Sequence, residues 1–228
     1  MKNKLSEYFC AKTAFFTALS ILIAAFSVGV ADGQVLRTGD KSVQPEATFT
    51  NSAAITVSDG AANAANPYPS TINVSGLNGT ISNEPGSVKV TLNNFSHEYP
   101  QDLGIVLVGP TGAGLLLMDF VTTGQDAENV TFTISDTGAT RLPLDSAITP
   151  GTYKPTGYFS EPTSFPNPGP GTNYAHPGPG TGGTATFSSV FGGTNPNGDW
   201  KLFVVDFATG DGGSISGGWT LEINTTGG

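Results

Sequence analysis

Short hydrophobic runs separated by glycine, proline, asparagine and aspartate recur along most of the chain. Residues 87–92 alternate, with Val88, Val90 and Leu92 on one face, which is the period of a half-buried strand. Leu103–Val108 is apolar almost throughout and predicts a central buried strand. After residue 33 no segment has both the length and the period of a helix. The predicted strands are residues 53–57, 70–75, 87–92, 103–108, 114–119, 129–134, 184–187, 200–206 and 219–223.

About nine short strands without helices predict an all-β domain, a β-sandwich or a jelly roll. We place this domain at residues 47–226. Residues 149–183 interrupt the strand pattern with eight prolines and many glycines, a composition typical of linkers. Five aromatic residues are spaced through the segment, however: Tyr153, Tyr158, Phe159, Phe165 and Tyr174. We therefore interpret it as an ordered loop that lies over the sandwich and is anchored by its rings.

The N-terminus has the pattern of an export signal. Basic residues, including Lys2 and Lys12, precede an apolar run over residues 13–31 that ends in small residues, which predicts a signal helix over residues 1–33 cleaved after Ala31 or Gly33. The alternative is an uncleaved membrane anchor. Residues 34–46 read as a flexible lead-in. Cys10 would leave with the signal, so the exported chain would have no cysteine for a disulfide, a zinc–thiolate site or a nucleophile. The expected location is secreted or cell-surface.

The charge balance narrows the classes of partner. The formal net charge is −9, and removal of residues 1–33 would leave six basic and sixteen acidic residues. Surfaces that bind nucleic acid are basic, which argues against that partner. Carboxylates in excess on an exported domain suit calcium, whereas solubility is the simpler explanation for most of them.

Candidate catalytic residues are few. Two histidines, His97 and His176, follow the signal segment, and no Gly-x-Ser-x-Gly nucleophile elbow occurs. His97 enters a buried strand, where a turn histidine that bonds nearby backbone is the favoured interpretation over a catalytic base. His176 lies in the proline-rich loop with no acid beside it in sequence. The chain is therefore not expected to be an enzyme in its own right.

Four aspartates are the candidate calcium ligands: Asp102, Asp119, Asp206 and Asp211. Asp102 precedes a buried strand, Asp119 ends the next one, and the other two flank a turn near the C-terminus. Calcium takes six to eight oxygen ligands from such loops. None of these positions forms an EF-hand loop, and for any single carboxylate the capping of a turn is the favoured interpretation.

Three blocks of sequence resemble a known family. Residues 95–112, with a histidine, an aromatic, Asp-Leu, an apolar strand and a Pro-Thr-Gly turn, are followed by Asn195–Asp206 and by Gly210–Ile223, which carries Trp-Thr-Leu. In this order they resemble the P domain, or P/Homo B domain, of subtilisin-like proprotein convertases. The resemblance covers roughly residues 50–224.

The resemblance implies a jelly roll of the galactose-binding-like type that packs against a separate subtilisin-like catalytic domain. It also implies that Trp200 and Trp219 are core aromatics in facing strands. Asp102 matches the family's acidic residue before the strand. Bacterial relatives often carry a second acid two residues later, where this chain has Gly104, which puts a calcium site of that kind in doubt.

Two functions follow from these observations. The first is an exported, non-catalytic module that interacts with or stabilises a protein partner, such as a secreted protease or a surface protein. The alternative is an extracellular module for carbohydrate binding or adhesion, for which Tyr153, Tyr158 or Tyr174 would form an exposed platform. Contact with a membrane is expected only through the signal segment, if it is not cleaved.

Overall fold

Hydrophobic residues recur at every second position of the strands, and these strands form two packed β-sheets. The protein is described from a computed structural model that covers residues 46–59 and 63–227. The predicted signal segment and residues 34–45 of the predicted lead-in lie outside the described residues. Within those ranges the strands are β1 Ala47–Asn51, β2 Ile55–Val57, β3 Asn63–Ala64, β4 Ser70–Val74, β5 Thr80–Ile81, β6 Val88–His97, β7 Leu103–Val108, β8 Gly114–Asp119, β9 Ala127–Ser135, β10 Thr140–Arg141, β11 Thr152–Lys154, β12 Thr156–Gly157, β13 Gly198–Asp206, β14 Gly213–Ile215, β15 Trp219–Ile223 and β16 Thr225–Thr226.

The order of the long strands is that of a jelly roll. The first sheet runs β1-β15-β6-β9 and continues into β11 and β10, and the second contains β8, β7 and β13 in that order, with β4 pairing on the far side of β13. Except for the β7–β8 hairpin, successive long strands lie in different sheets, so most neighbours within a sheet are distant in sequence. This arrangement confirms the predicted all-β sandwich.

The core lies between the two sheets and is centred on two tryptophans. Trp200 in β13 and Trp219 in β15 are both fully buried, one in each sheet. Each indole N–H has an acceptor, since Trp200 Nε1 donates to the Pro196 carbonyl at 2.9 Å and Trp219 Nε1 donates to Ser70 Oγ at 2.9 Å. Leaving a buried indole N–H unpaired would cost about 1–3 kcal/mol, so these two bonds support the burial of both rings. The implied core roles of both residues are confirmed.

One predicted strand is wrong. Residues 184–187 do not form a strand; instead, helix α1 spans Phe187–Phe191. The Asp136 carboxylate accepts the N–H groups of Phe187 and Ser188 at 2.8 and 2.9 Å, which satisfies donors that a helix start leaves free. Thr186 caps the same end. In the described ranges no helix is long and apolar enough to cross a bilayer.

The hydrophobic pattern does not predict strand β1, because the sequence of this strand has few large apolar residues. Phe49 is its one large apolar residue, and Thr48 and Thr50 face outward. The strand is held by antiparallel pairing along all of its length with β15. Its place at the sheet edge explains the weak pattern, because an edge strand needs fewer buried side chains.

The proline-rich loop covers the outer face of the second sheet. A small second core forms there from Val106, Leu116, Phe165, Phe203 and Val205. Phe165 is the loop's contribution and is 1% exposed, with the Tyr174 ring against it edge-on at 5.5 Å between centroids. The second sheet is therefore buried on both faces, which explains the nearly continuous apolar sequence of β7.

We predict that Phe165→Ala detaches this loop from the sheet. Removing a fully buried phenylalanine costs about 3–5 kcal/mol in the free energy of unfolding. The matched control is Phe159→Ala in the same loop, because Phe159 is 42% exposed and its loss should cost less than about 1 kcal/mol. Urea unfolding and limited proteolysis of the loop would measure both effects. Equal destabilisation by the two variants would contradict the anchoring role of Phe165.

Candidate functional site

One edge of the second sheet collects three of the four candidate aspartates. Strand β7 begins at Leu103, directly after a 3₁₀ turn at Pro100–Asp102. Its neighbours are antiparallel, so both of them end where β7 begins: Asp206 pairs with Leu103, and Asp119 pairs with Gly104. The fold therefore brings together residues that are distant in sequence.

The strand pleat nevertheless sends two of these aspartates to opposite faces of the sheet. Leu103 belongs to the main core, so its partner Asp206 faces the space between the sheets. A Cβ on Gly104 would lie 2.6 Å from Phe207 Cε2 and 3.1 Å from Phe165 Cζ, so Gly104 and its partner Asp119 face the loop. A second acid at position 104 has no room here, because aromatic rings fill that place.

This separation bears on the calcium expectation. Within residues 46–59 and 63–227, no group of three or more histidine, cysteine, aspartate or glutamate side chains is placed to hold a metal ion. Because Asp119 and Asp206 face opposite sides of the sheet, the four predicted aspartates do not form one carboxylate-rich centre.

The inner aspartate is paired with His97. His97 Nε2 lies 3.3 Å from Asp206 Oδ2, with both side chains almost fully buried, although the two atoms are not well aligned for a hydrogen bond. His97 Nδ1 accepts the Tyr99 N–H at 3.1 Å, so in the neutral ring the proton is on Nε2 and faces the carboxylate. Burial raises the pKa of Asp206, and the nearby His97 opposes this shift. The pair joins β6 of one sheet to β13 of the other. His97 is the last residue of β6 rather than a turn residue, and its bond from the Tyr99 N–H agrees with the predicted contact with nearby backbone.

The outer aspartate has a similar arrangement. His176 Nε2 lies 4.0 Å from Asp119 Oδ2, and His176 Nδ1 accepts the Gly178 N–H at 3.0 Å. Asp119 Oδ1 is 3.4 Å from the donating N–H nitrogen of Phe159. Burial raises the pKa of Asp119 to about 6 and lowers the pKa of His176. At neutral pH this is therefore a carboxylate beside an uncharged imidazole.

Asp102 and Asp211 are more exposed than the other two. Burial raises the pKa of Asp102, and the negative charges of Asp206 and Asp211 raise it further. The Asp102 carbonyl accepts the Phe207 N–H at 2.8 Å, which fixes the turn against the end of β13. Asp102, Asp206 and Asp211 therefore lie within one region of negative potential.

Asp102 and Asp119 meet at a cleft of about 290 Å³ beside this sheet edge. We call it the aromatic–acidic cleft. It is lined by Gln101, Asp102, Leu103, Asp119, Phe120, Phe159, Thr163, Ser164, Phe207 and Ala208.

The rings of the aromatic–acidic cleft are held in place by packing and by the backbone. The Phe120 and Phe159 rings lie 5.6 Å apart between centroids. Phe120 has φ of +49°, a conformation that is strained for a bulky residue by about 1–3 kcal/mol. Strain of this kind concentrates at functional sites.

Two buried oxygen atoms of cleft residues have no hydrogen-bond partner. They are Gln101 Oε1 and Asp119 Oδ2, each withdrawn from solvent. Both are acceptors, so what they lack is a donor. Sequence reasoning identified Asp102 and Asp119 but missed Gln101, Phe120 and Phe207. No local motif marks these three residues, because only the sheet register and the loop bring them together.

Comparison with known proteins adds one distant likeness. No family model and no curated protein matches this sequence. A chain in the crystal structure of the Aeromonas sobria serine protease (ASP) in complex with the chaperone ORF2 is similar, with 15% sequence identity over 82% of this chain and a TM-score of 0.36. This protein spans 27% of that chain's length. A TM-score this low supports no conclusion about function.

We predict that Asp119→Asn stabilises the protein at neutral pH. A folded-state pKa of about 6 against an unfolded value near 3.8 means that the native state binds the proton more tightly, so stability falls as pH rises from about 4 to 6. The asparagine variant lacks this fall and should gain up to about 3 kcal/mol at pH 7, since one pKa unit corresponds to about 1.4 kcal/mol.

The measurement is the difference in unfolding free energy between variant and parent from pH 3.5 to 7.5, with a chelator present. The control is Glu84→Gln, an exposed residue before β6, whose difference curve should not follow this profile. An asparagine variant that is less stable than the parent at pH 7 would show that Asp119 is a stabilising charge instead.

Proposed function

We propose that this chain is an exported, non-catalytic binding module of the P-domain kind, and that a protein partner docks at the aromatic–acidic cleft. The observation that carries the proposal is the cleft itself, where three phenylalanine rings and two carboxylates meet and two buried acceptors lack donors. The jelly-roll strand order is consistent with the three sequence blocks that resemble a P domain. Export rests on the N-terminal pattern alone.

The positions of the histidines favour binding over catalysis. His97 is buried, and its two ring nitrogens face the Tyr99 N–H and the Asp206 carboxylate. His176 is oriented by Gly178 and Asp119 in the same way. A general base must reach the proton that it removes. His97 is enclosed in the core, and the Nε2 atoms of both rings are directed at an aspartate of the same chain, at 3.3 and 4.0 Å.

The environment of the tyrosines weighs against the carbohydrate alternative. A sugar platform needs exposed rings, but Tyr153, Tyr158 and Tyr174 are all half-buried. Their hydroxyls donate to the carbonyls of Thr149, Leu142 and Thr163 respectively. Phe159 is the large apolar residue that stays exposed among the described residues, and it lies at the cleft.

A secreted subtilisin-like protease that lacks its own P domain, from the same organism, is the partner to test. We expect the purified chain to form a complex with it in sedimentation experiments and to slow its heat inactivation several-fold, because a ligand that binds only the folded state stabilises it. Phe159→Ala should weaken both effects, and Glu84→Gln should not.

Two results would contradict this proposal. One is an unchanged inactivation rate with no complex formed. The other is casein hydrolysis by the chain alone that is abolished by His97→Gln, which would make the protein an enzyme.

Calcium binding stays a prediction and has a separate test. If calcium binds the folded state, the melting temperature in calcium should exceed that in chelator, since bound ligand adds RT ln(1 + [L]/Kd) to the stability. Asp102→Asn should reduce the difference if the ion lies at the sheet edge. Identical melting curves in both buffers would show that calcium does not bind the folded protein.

A further inference from the structure

We infer that the aromatic–acidic cleft is a receptor for one cationic side chain of the partner, and that arginine fits it better than lysine. This inference rests on the proposed binding function and specifies the chemistry of its ligand. It follows from the charge of the cleft, its unpaired acceptors, its rings and its size.

The negative charge of the cleft is not neutralised by the described part of this chain. Lys89 pairs with Glu46 and Glu222 on the first sheet. The other described basic residues, Arg141, Lys154 and Lys201, line different cavities. Asp102 and Asp119 therefore face the cleft without a basic residue of the described chain lining it.

The unpaired acceptors specify what is missing. Asp119 is 1% exposed, and its Oδ2, which faces His176 Nε2 at 4.0 Å, is too far from it to accept a hydrogen bond and has no other partner. Gln101 Oε1 also lacks a hydrogen-bond partner. Buried polar atoms are nearly always paired, so each exception calls for an explanation. Lysine and arginine carry only donors on their polar ends, which complements a cleft whose free groups are acceptors.

The rings explain the preference for arginine. Phe120, Phe159 and Phe207 offer apolar surface to the methylene groups of a long side chain. A guanidinium group stacks on aromatic faces and pairs with a carboxylate through two parallel bonds, whereas an ammonium group is a compact and strongly hydrated charge.

The size of the cleft points to a single side chain. Its volume of about 290 Å³ is just below the roughly 300–1,000 Å³ typical of pockets for whole small molecules. A calcium ion is a poorer fit, because it requires six to eight oxygen ligands and three of the ten lining residues are phenylalanines.

The test is titration of the isotope-labelled protein with N-acetyl-arginine amide, followed by backbone amide shifts. The matched probes are N-acetyl-lysine amide and N-acetyl-citrulline amide, the second of which keeps the shape of arginine without its charge. We expect shifts at Leu103, Phe120, Phe159 and Ala208, with the arginine probe binding at least 10-fold more tightly than citrulline and more tightly than lysine.

Binding-site variants test whether the arginine probe binds in the cleft. Asp102→Asn and Phe159→Ala should each weaken the arginine probe at least 5-fold. Asp119→Asn should do so too, and it is expected to fold because it removes a buried charge. Glu84→Gln, at the other end of β6, should bind as the parent does. Retained amide dispersion in each variant would separate lost binding from lost folding.

Three results would overturn the inference: equal binding of citrulline and arginine, shifts confined to residues outside the cleft, or displacement of the arginine probe by millimolar calcium with the same amides shifting. The last would make the cleft a metal site. Protease stabilisation that survives Asp102→Asn while the arginine probe fails to bind would leave the module function intact and reject only this ligand. Arginine binding without any effect on the protease would reject the partner class instead.

Discussion

Burial of the second sheet on both of its faces is the constraint on which the rest of the structure depends. An antiparallel sheet in a sandwich commonly leaves its outer face in water, with polar residues alternating along each strand. Here five of the six residues of β7 are buried, and so are all six of β8. Such strands are stable only when something covers the outer face. The proline-rich loop does this with Phe165, whose ring reaches the outer cluster around Val106 and Leu116.

The loop can lie so close because glycines stand where side chains would collide. A Cβ on Gly157 would lie 2.5 Å from His176 Cε1, and one on Gly114 would lie 3.1 Å from Tyr174 Cβ. Strand β12 also pairs with β8, which places Gly157 beside Asp119. The same close approach that seals the sheet therefore puts an imidazole and an aromatic ring over a carboxylate. The aromatic–acidic cleft lies beside the covering loop, at the end of the sheet that the loop leaves open.

The elements that sequence predicts well are those whose burial is regular. β7 was identified because its apolar run is continuous, and β6 because its alternation is strict over residues 88–92. The helix at Phe187 was missed because its start depends on the Asp136 carboxylate, 51 residues away. Asp102 and Asp119 were identified as candidate residues from their places at strand ends. The sequence does not predict that Asp102 and Asp119 share a cleft while Asp206 faces the other side of the sheet, because this depends on strand register. Leu103 and Gly104 are adjacent, and a step of one residue along a strand reverses the face of the sheet.

Two unfavourable features occur together at the cleft. The Asp119 carboxylate loses solvation without gaining a full set of donors, and its raised pKa makes it a net destabilising charge at neutral pH. Phe120, the next residue, adopts a left-handed backbone conformation that bulky side chains rarely take. Neither feature helps to close the core, since Phe165 and the neighbouring rings already seal the sheet. Unfavourable backbone conformations and unpaired buried charges occur together mainly at functional sites, where they serve the function rather than the stability of the fold. A donor-rich cation between the rings would lie beside Asp119 and cover Phe159. Its charge would offset the unfavourable free energy of the buried carboxylate, although not the backbone strain at Phe120.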